Sequence, residues 1–396
     1  MSEVQPFSLA NTADPYPAYA QLRAQSPVHR MPLPSGVPAW LVTRYDDVRQ
    51  ALSDPRLSKD ETRRTQLAAL RFPADVEAHI NHHMLNADPP DHTRMRRLVS
   101  AAFTSRRVEE LRPRIQEITD RLLNELAAAG QGDLIDAFAF PLPIQVICEL
   151  LGVPLDDRDD FRAWSNTIVA GTLSGERLLP AAVAMTEYLR ELVARKRAEP
   201  ADDLLSALIA VRDGGDRLSE GELSSMVFLL LVAGHETTVN LIGNGVHALL
   251  THPDQLAALR ADPALLPGAI EEFLRYAGPL ETATFRITAE PVEIGGVTVP
   301  ENQIVLLSLL SANRDADRFP GADQLDIGRG DGQHMAFGHG IHYCLGAPLA
   351  RLEGHIAIGS LLARFPRLDL AVPAEELVWR PGILMRGLEH LPVKFG

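Results

Sequence analysis

Residues Ser219 to Thr251 keep helical spacing throughout, and from Leu229 to Leu250 (LLLVAGHETTVNLIGNGVHALL) the run is apolar on most faces. A helix apolar all round has to lie inside a protein or a membrane. Unbroken apolar runs such as Met226–Ala233 (MVFLLLVA) are too short to span a bilayer. The expectation is a central helix around which the rest of the chain packs. Ser219 and Glu222 form the S-x-x-E pattern that starts such a helix, and Pro253 stops it. A chain of 396 residues can bury it without staples. Cysteine occurs at 148 and 344 alone, so no disulfide framework exists and a reducing compartment is the simpler expectation. Cys148, in VICELLGVP, reads as a small buried hydrophobe.

The remaining pattern is mostly helical. Helices are predicted over 94–102, 107–128, 144–151, 157–169, 180–198, 203–213, 254–262, 267–276 and from about 346 to 365. Ala39–Arg44 reads as a strand followed by a helix at Asp46–Ser53. Further strand signals lie at 292–294, 297–299 and 304–309, with a hairpin region at 378–393. No alternating βαβ period occurs, which argues against doubly wound and barrel folds. The expectation is one mainly α domain over residues 1–396 with small sheets. Lys59–Leu85 and Gly171–Leu179 are irregular, as lids, binding loops and plain surface loops all are.

Composition excludes some functions. A net charge of −14 argues against general nucleic-acid binding. The N-terminus has no basic stretch followed by an apolar one, so no signal peptide is expected, and a monomer in the cytoplasm is. His92–Val108 (HTRMRRLVSAAFTSRRV) holds several arginines and no acid, as a solvated face or a dock for an acidic partner would. His79, His82 and His83 have no carboxylate or cysteine beside them and read as plain loop histidines.

Two places carry chemistry. Gly234-His235-Glu236-Thr237-Thr238 interrupts the apolar helix. Burying a carboxylate unpaired costs several kcal/mol, of order 2–7 for neutral polar groups and more for charges. Glycine weakens a helix by roughly 1 kcal/mol relative to alanine. Such a conflict marks either a kinked core helix, with Glu236 paired to an arginine elsewhere, or a functional site. The second place is His334–Gly354 (HMAFGHGIHYCLGAPLARLEG), where Cys344 lies among Gly338, Gly340 and Gly346, before a predicted helix N-terminus. A thiolate is stabilised there. Three readings stand: a buried structural cysteine, a nucleophile with His339 or His342 as base, or a metal ligand. Zinc wants four ligands and no second cysteine is near, whereas a single thiolate suits haem, which brings its own equatorial ligands.

Phe337–Gly346 (FGHGIHYCLG) resembles the haem-binding loop of cytochrome P450 monooxygenases, F-x-x-G-x-[H/R]-x-C-x-G, at every fixed position. Ala233–Thr238 (AGHETT) resembles that family's oxygen-binding motif, [A/G]-G-x-[D/E]-T-[T/S]. Glu272 and Arg275 resemble its E-x-x-R structural pair, and Asp88–Arg96 (DPPDHTRMR) its D-P-P-x-H-x-x-x-R segment. The resemblance runs from Asp14-Pro15-Tyr16 to Arg386-Gly387-Leu388, with Tyr343 where phenylalanine is frequent. It implies a single-domain cytochrome P450 fold, many helices around a buried haem b. It makes Cys344 the iron ligand, His92, Arg96, Arg286 and His342 the propionate partners, and Ala233 a further haem contact. Glu236 and Thr237 would relay protons to bound dioxygen, a role that peroxide-driven relatives dispense with.

The family also implies electrons from NAD(P)H through ferredoxin reductase and ferredoxin, the latter docking near Arg96, Arg97, Arg106 and Arg107. The substrate would be a bulky apolar small molecule such as a macrolide, another polyketide, a terpenoid or a sterol. Leu85, Leu230, Ala233, Thr284, Ile383 and Leu384 would line its pocket. Two rival readings are a non-catalytic haem sensor or carrier, which needs no proton relay, and a cysteine-nucleophile hydrolase, which needs no haem.

Overall fold

The computed structural model describes residues 5–60, 72–154, 157–170, 175–211 and 216–395. The chain packs as two compact units. Met1–Leu57, Pro113–Leu142 and Glu236–Gly396 form the first, and Ser58–Arg112 with Pro143–His235 form the second. The expected loops at 59–85 and 171–179 lie partly outside the described residues, at 61–71 and 171–174.

The long helix runs Glu220–Leu250. Its predicted start is a reciprocal cap: the Ser219 N–H donates to Glu222 Oε2 at 2.8 Å, and the Glu222 N–H to Ser219 Oγ at 3.3 Å. Pro253 opens the next helix, Pro253–Ala261, in a first turn where no amide donor is needed. By length and composition the long helix could cross a membrane, but 78% of its most apolar window is buried within protein.

In the first unit, a five-stranded sheet runs in the order Val28–Pro32, Pro38–Val42, Ile304–Leu307, Arg286–Thr288, Leu57–Ser58. Pro38–Val42 lies parallel to Ile304–Leu307, and Arg286–Thr288 antiparallel to it with Arg286 opposite Val305. Every residue of Ile304–Leu307 is buried because the strand is covered on both faces. Alternation splits its side chains: Val305 and Leu307 join one core with Val42, Val48 and Phe319, while Leu306 joins another with Tyr19, Leu22 and Leu41. Helices Leu266–Tyr276 and Ala347–Arg364 pack against each other and frame the cysteine loop between 334 and 346. The expected tail hairpin pairs Trp379 with Leu388, then Pro392–Phe395 joins a small sheet with Gln131–Asp133 and Leu368–Leu370.

The second unit is helical: Asp91–Ala102, Arg158–Ala170, Gly175–Ala198, Leu204–Ala210 and the start of the long helix. Two boundaries differ from expectation. The predicted helix over 107–128 is broken into Ser105–Glu110 and Arg112–Ala129, because Pro113 has no N–H to continue the ladder. The helix expected from Pro180 begins at Gly175 and carries Pro180 inside it.

Candidate active site

The cysteine loop is built by its own backbone. Gly340–His342 forms a single tight turn, and the Cys344 N–H donates to the Phe337 carbonyl at 2.9 Å. Gly340 has φ +74° and an added Cβ would lie 3.1 Å from the Leu52 carbonyl, so only glycine passes here without strain. The following helix starts at Ala347 with Gly346 as its cap. Cys344 therefore lies just ahead of the helix N-terminus rather than in its first turn. Cys344 is exposed, which is unusual for a residue type that normally hides, whereas Cys148 is fully buried.

The residues of this unit fit a haem. The one thiol on the loop faces outward, and a Cβ added at Gly338 would meet nothing within 4 Å, so a flat ring can lie against the backbone. Half-buried His342 and buried Arg286 supply nitrogen donors of the kind that binds carboxylates. Arg286 opens its strand and donates weakly to the Thr284 carbonyl at 3.4 Å.

Between Leu223 and Val246 the long helix is buried except at Leu230, Ala233, Gly234 and Thr237. Those positions share one helical face by their spacing of three and four. The open stripe therefore holds three of the sequence-derived candidates, two apolar and one hydroxyl-bearing. Gly234 permits a close approach, since an added Cβ would lie 3.1 Å from Ile147 Cδ1. Glu236 turns off the stripe and is buried, with its Oε2 3.3 Å from Arg380 Nη1. Arg380 is thus the distant arginine that the core-helix reading requires. Its side chain is 34% exposed, and it also donates to the Leu388 carbonyl at 3.2 Å.

Thr284, Ile383 and Leu384 come together through the tail. Thr282 Oγ1 donates to the Ile383 carbonyl at 2.6 Å and the Glu281 N–H to the Leu384 carbonyl at 2.8 Å. All three candidates are half-buried. Glu272 and Arg275 form a buried two-pronged pair at 2.7 and 2.8 Å. Arg275 is wholly buried and also donates to the carbonyls of Asn313, Ala322 and Gln324.

In the second unit His92 and Arg96 share one face of Asp91–Ala102, His92 buried and Arg96 half-buried. Burial, then the Arg96 charge, lowers the His92 pKa, so the ring is a neutral N–H donor at pH 7. Leu85 sits half-buried in the turn Met84–Asn86. Arg97 and Arg106 are exposed, and Arg106 pairs with Glu110 at 2.8 Å. His79 uses Nδ1 on the Asp75 carbonyl and Nε2 on Arg190. Among the described residues, the one grouping with metal-ligand spacing is Asp133, Asp136 and His390 instead. Sequence reasoning missed Arg380, and it missed Glu271, His334 and Arg351 around the cysteine loop. Glu271 was overshadowed by its neighbour Glu272, and nothing local pairs it with a residue of the later helix.

The family model for Cytochrome P450 matches residues 175–376. The chain is 57% identical to Cytochrome P450 107B1 of Saccharopolyspora erythraea, over 98% of this chain and 97% of that protein. It is 55% identical to a vitamin D(3) 25-hydroxylase of Pseudonocardia autotrophica, over 98% and 96%. Among solved structures it resembles the tirandamycin C-bound P450 monooxygenase TamI, with 50% identity, TM-score 0.92 and coverage of 98% and 99%. A thiolate loop shaped by glycine, a core helix open along one face and relatives matched end to end lead to one conclusion: the chain belongs to the cytochrome P450 family and is a haem-thiolate monooxygenase.

Proposed function

We propose that this enzyme inserts one atom of dioxygen into a C–H bond of a bulky, largely apolar small molecule, a macrolide or other polyketide before a terpenoid or sterol. The observation that carries this reading is the open face of the long helix, where apolar Leu230 and Ala233 lie in line with Thr237. A tirandamycin-bound neighbour and a vitamin D(3) hydroxylase among the relatives support large substrates.

Haem, when bound, supplies the redox chemistry that activates dioxygen. The protein's part follows from its own groups. Cys344 would hold the haem iron through its sulfur, because Cys148 is sealed in the core. Arg286 and His342 in the first unit, and Arg96 with the neutral N–H donor His92 in the second, would each supply hydrogen bonds of the kind that holds a propionate. Leu230, Ala233 and Leu85 in the second unit, and Ile383, Leu384 and Thr284 in the first, would each offer apolar or weakly polar contacts to such a substrate. Thr237 would hold a proton donor at the open face, and the Glu236 carboxylate would take up a proton from solvent and pass it on to that donor. Electrons come from NAD(P)H through a reductase and a ferredoxin, an acidic partner for the exposed Arg97 and Arg106.

Dithionite-reduced enzyme under carbon monoxide tests the ligand. A strongly red-shifted Soret band, lost in Cys344→His, is expected. A histidine-type band in the unaltered protein would sink the assignment. Screening macrolides and sterols for a high-spin shift, followed by mass analysis of products, tests the substrate class. If compact apolar acids shift the spectrum and macrolides do not, the polyketide reading fails.

A further inference from the structure

Glu271, His334 and Arg351 surround the cysteine loop from outside its motif. Arg351, on helix Ala347–Arg364, donates from Nε and Nη2 to Glu271 Oε1 and Oε2 at 2.7 and 2.8 Å. His334, where the loop begins, lies with Nε2 3.1 Å from the same Oε2. The Ala336 N–H donates to His334 Nδ1 at 3.2 Å, which leaves the ring proton on Nε2 and makes that nitrogen the donor to Glu271. One carboxylate therefore ties the start of the loop to the helix that follows it. The Arg351 guanidinium also lies 4.5 Å from the centroid of the Phe337 ring, which itself packs 6.3 Å from the ring of Tyr343. Phe337 is the residue whose carbonyl accepts the Cys344 N–H, and Tyr343 is the residue just before Cys344. Arg351 thus touches Phe337 directly and reaches Tyr343 through the Phe337 ring. Burial opposes ionisation of Glu271, but Arg351 and then His334 outweigh it and hold the carboxyl down at about 2. Both charges are present at neutral pH.

We infer that Arg351 and Glu271, with His334, are positioning residues for the Cys344 sulfur that hold its loop in register and balance the charge it feels. This rests on Cys344 as the haem ligand. Outer partners of this kind orient a ligand and tune its metal. The balance has a sign. Reduction adds negative charge at the iron, so a nearby cation favours it and a nearby anion opposes it. Removing the Glu271 charge leaves the cation alone. Removing the Arg351 charge leaves the anion alone. Loosened packing would move both variants in one direction.

The experiment measures the ferric–ferrous midpoint potential, and the rate of haem transfer to apomyoglobin, for wild-type holoenzyme, E271Q, R351Q and R351K. E271Q should shift the potential upward and R351Q downward. R351K keeps the charge but lacks the planar fork, so it should hold the wild-type potential and lose haem roughly tenfold faster. Four equal potentials, or shifts of one sign in E271Q and R351Q, overturn the inference. The Arg351 side chain is 36% exposed, so its variants keep the fold and R351Q against R351K decides the matter should E271Q lose its haem. A wild-type protein without the thiolate–carbon monoxide band would fail earlier and separately, at the haem-ligand reading.

Discussion

Glu236 is a carboxylate kept inside an apolar helix, with its Oε2 3.3 Å from an arginine that reaches solvent. The neighbouring Thr237 brings a hydroxyl to a half-buried position on the open stripe of the helix. Removing that hydroxyl by Thr237→Ala should cut product per NAD(P)H by about a hundredfold, the low end for a positioned proton donor, and raise hydrogen peroxide to match. Simultaneous assay of cofactor use, peroxide and product checks this, and full coupling would remove Thr237 from the relay. Arg275 is the opposite kind of residue, buried outright with every bond turned inward. Arg275→Met leaves Glu272 buried without its main partner and should cost about 3–5 kcal/mol in denaturant unfolding. An unchanged midpoint would mean that Arg329, 3.3 Å from Glu272, suffices as its counter-ion.

Among the elements, the long helix shows how local signals act together. Its cap is written in four consecutive residues, Ser219 to Glu222, and both cap bonds form. Ser219→Ala should lower stability by about 1 kcal/mol and Ser219→Asp should restore most of it, by thermal melting of the holoenzyme. Equal melting of all three would show that packing alone fixes the helix start. The break at Gly234–Thr238 was legible as a conflict between an apolar surround and polar residues. That one face stays open became visible only with the neighbouring elements in place, because a pattern of apolar residues says which faces want burial and not which remain uncovered. The broken helix at 111 shows the same limit. Helical periodicity continues across Pro113, and the missing amide outweighs it.

For the whole molecule, buried ionisable groups set the pH response. Burial first, against the opposing Tyr19 hydrogen bond at 2.7 Å, pushes the Glu281 carboxyl up from 4.5 to about 6. A raised acid contributes its stabilisation fully below its ordinary value and loses it as pH climbs through the folded one. A rise from 4.5 to about 6 is worth of order 2 kcal/mol. Glu281→Gln should therefore flatten stability across that window and exceed wild type at neutral pH and above. A parallel pH profile in urea unfolding would exclude Glu281 as the source. Removing haem should lower the melting temperature, and adding it back should restore the value, since a ligand bound only to the folded state stabilises it by mass action.

Residues within a few positions of one another encode the capped helix, the glycine-shaped thiolate loop, the Glu272–Arg275 pair three residues apart and the mainly helical class. Tertiary structure alone decided which distant side chains meet. Glu236 finds Arg380 across 144 positions, and Glu271 finds Arg351 across 80. Periodicity assigns a residue to a face of its own element, but the packing of whole helices determines which faces meet.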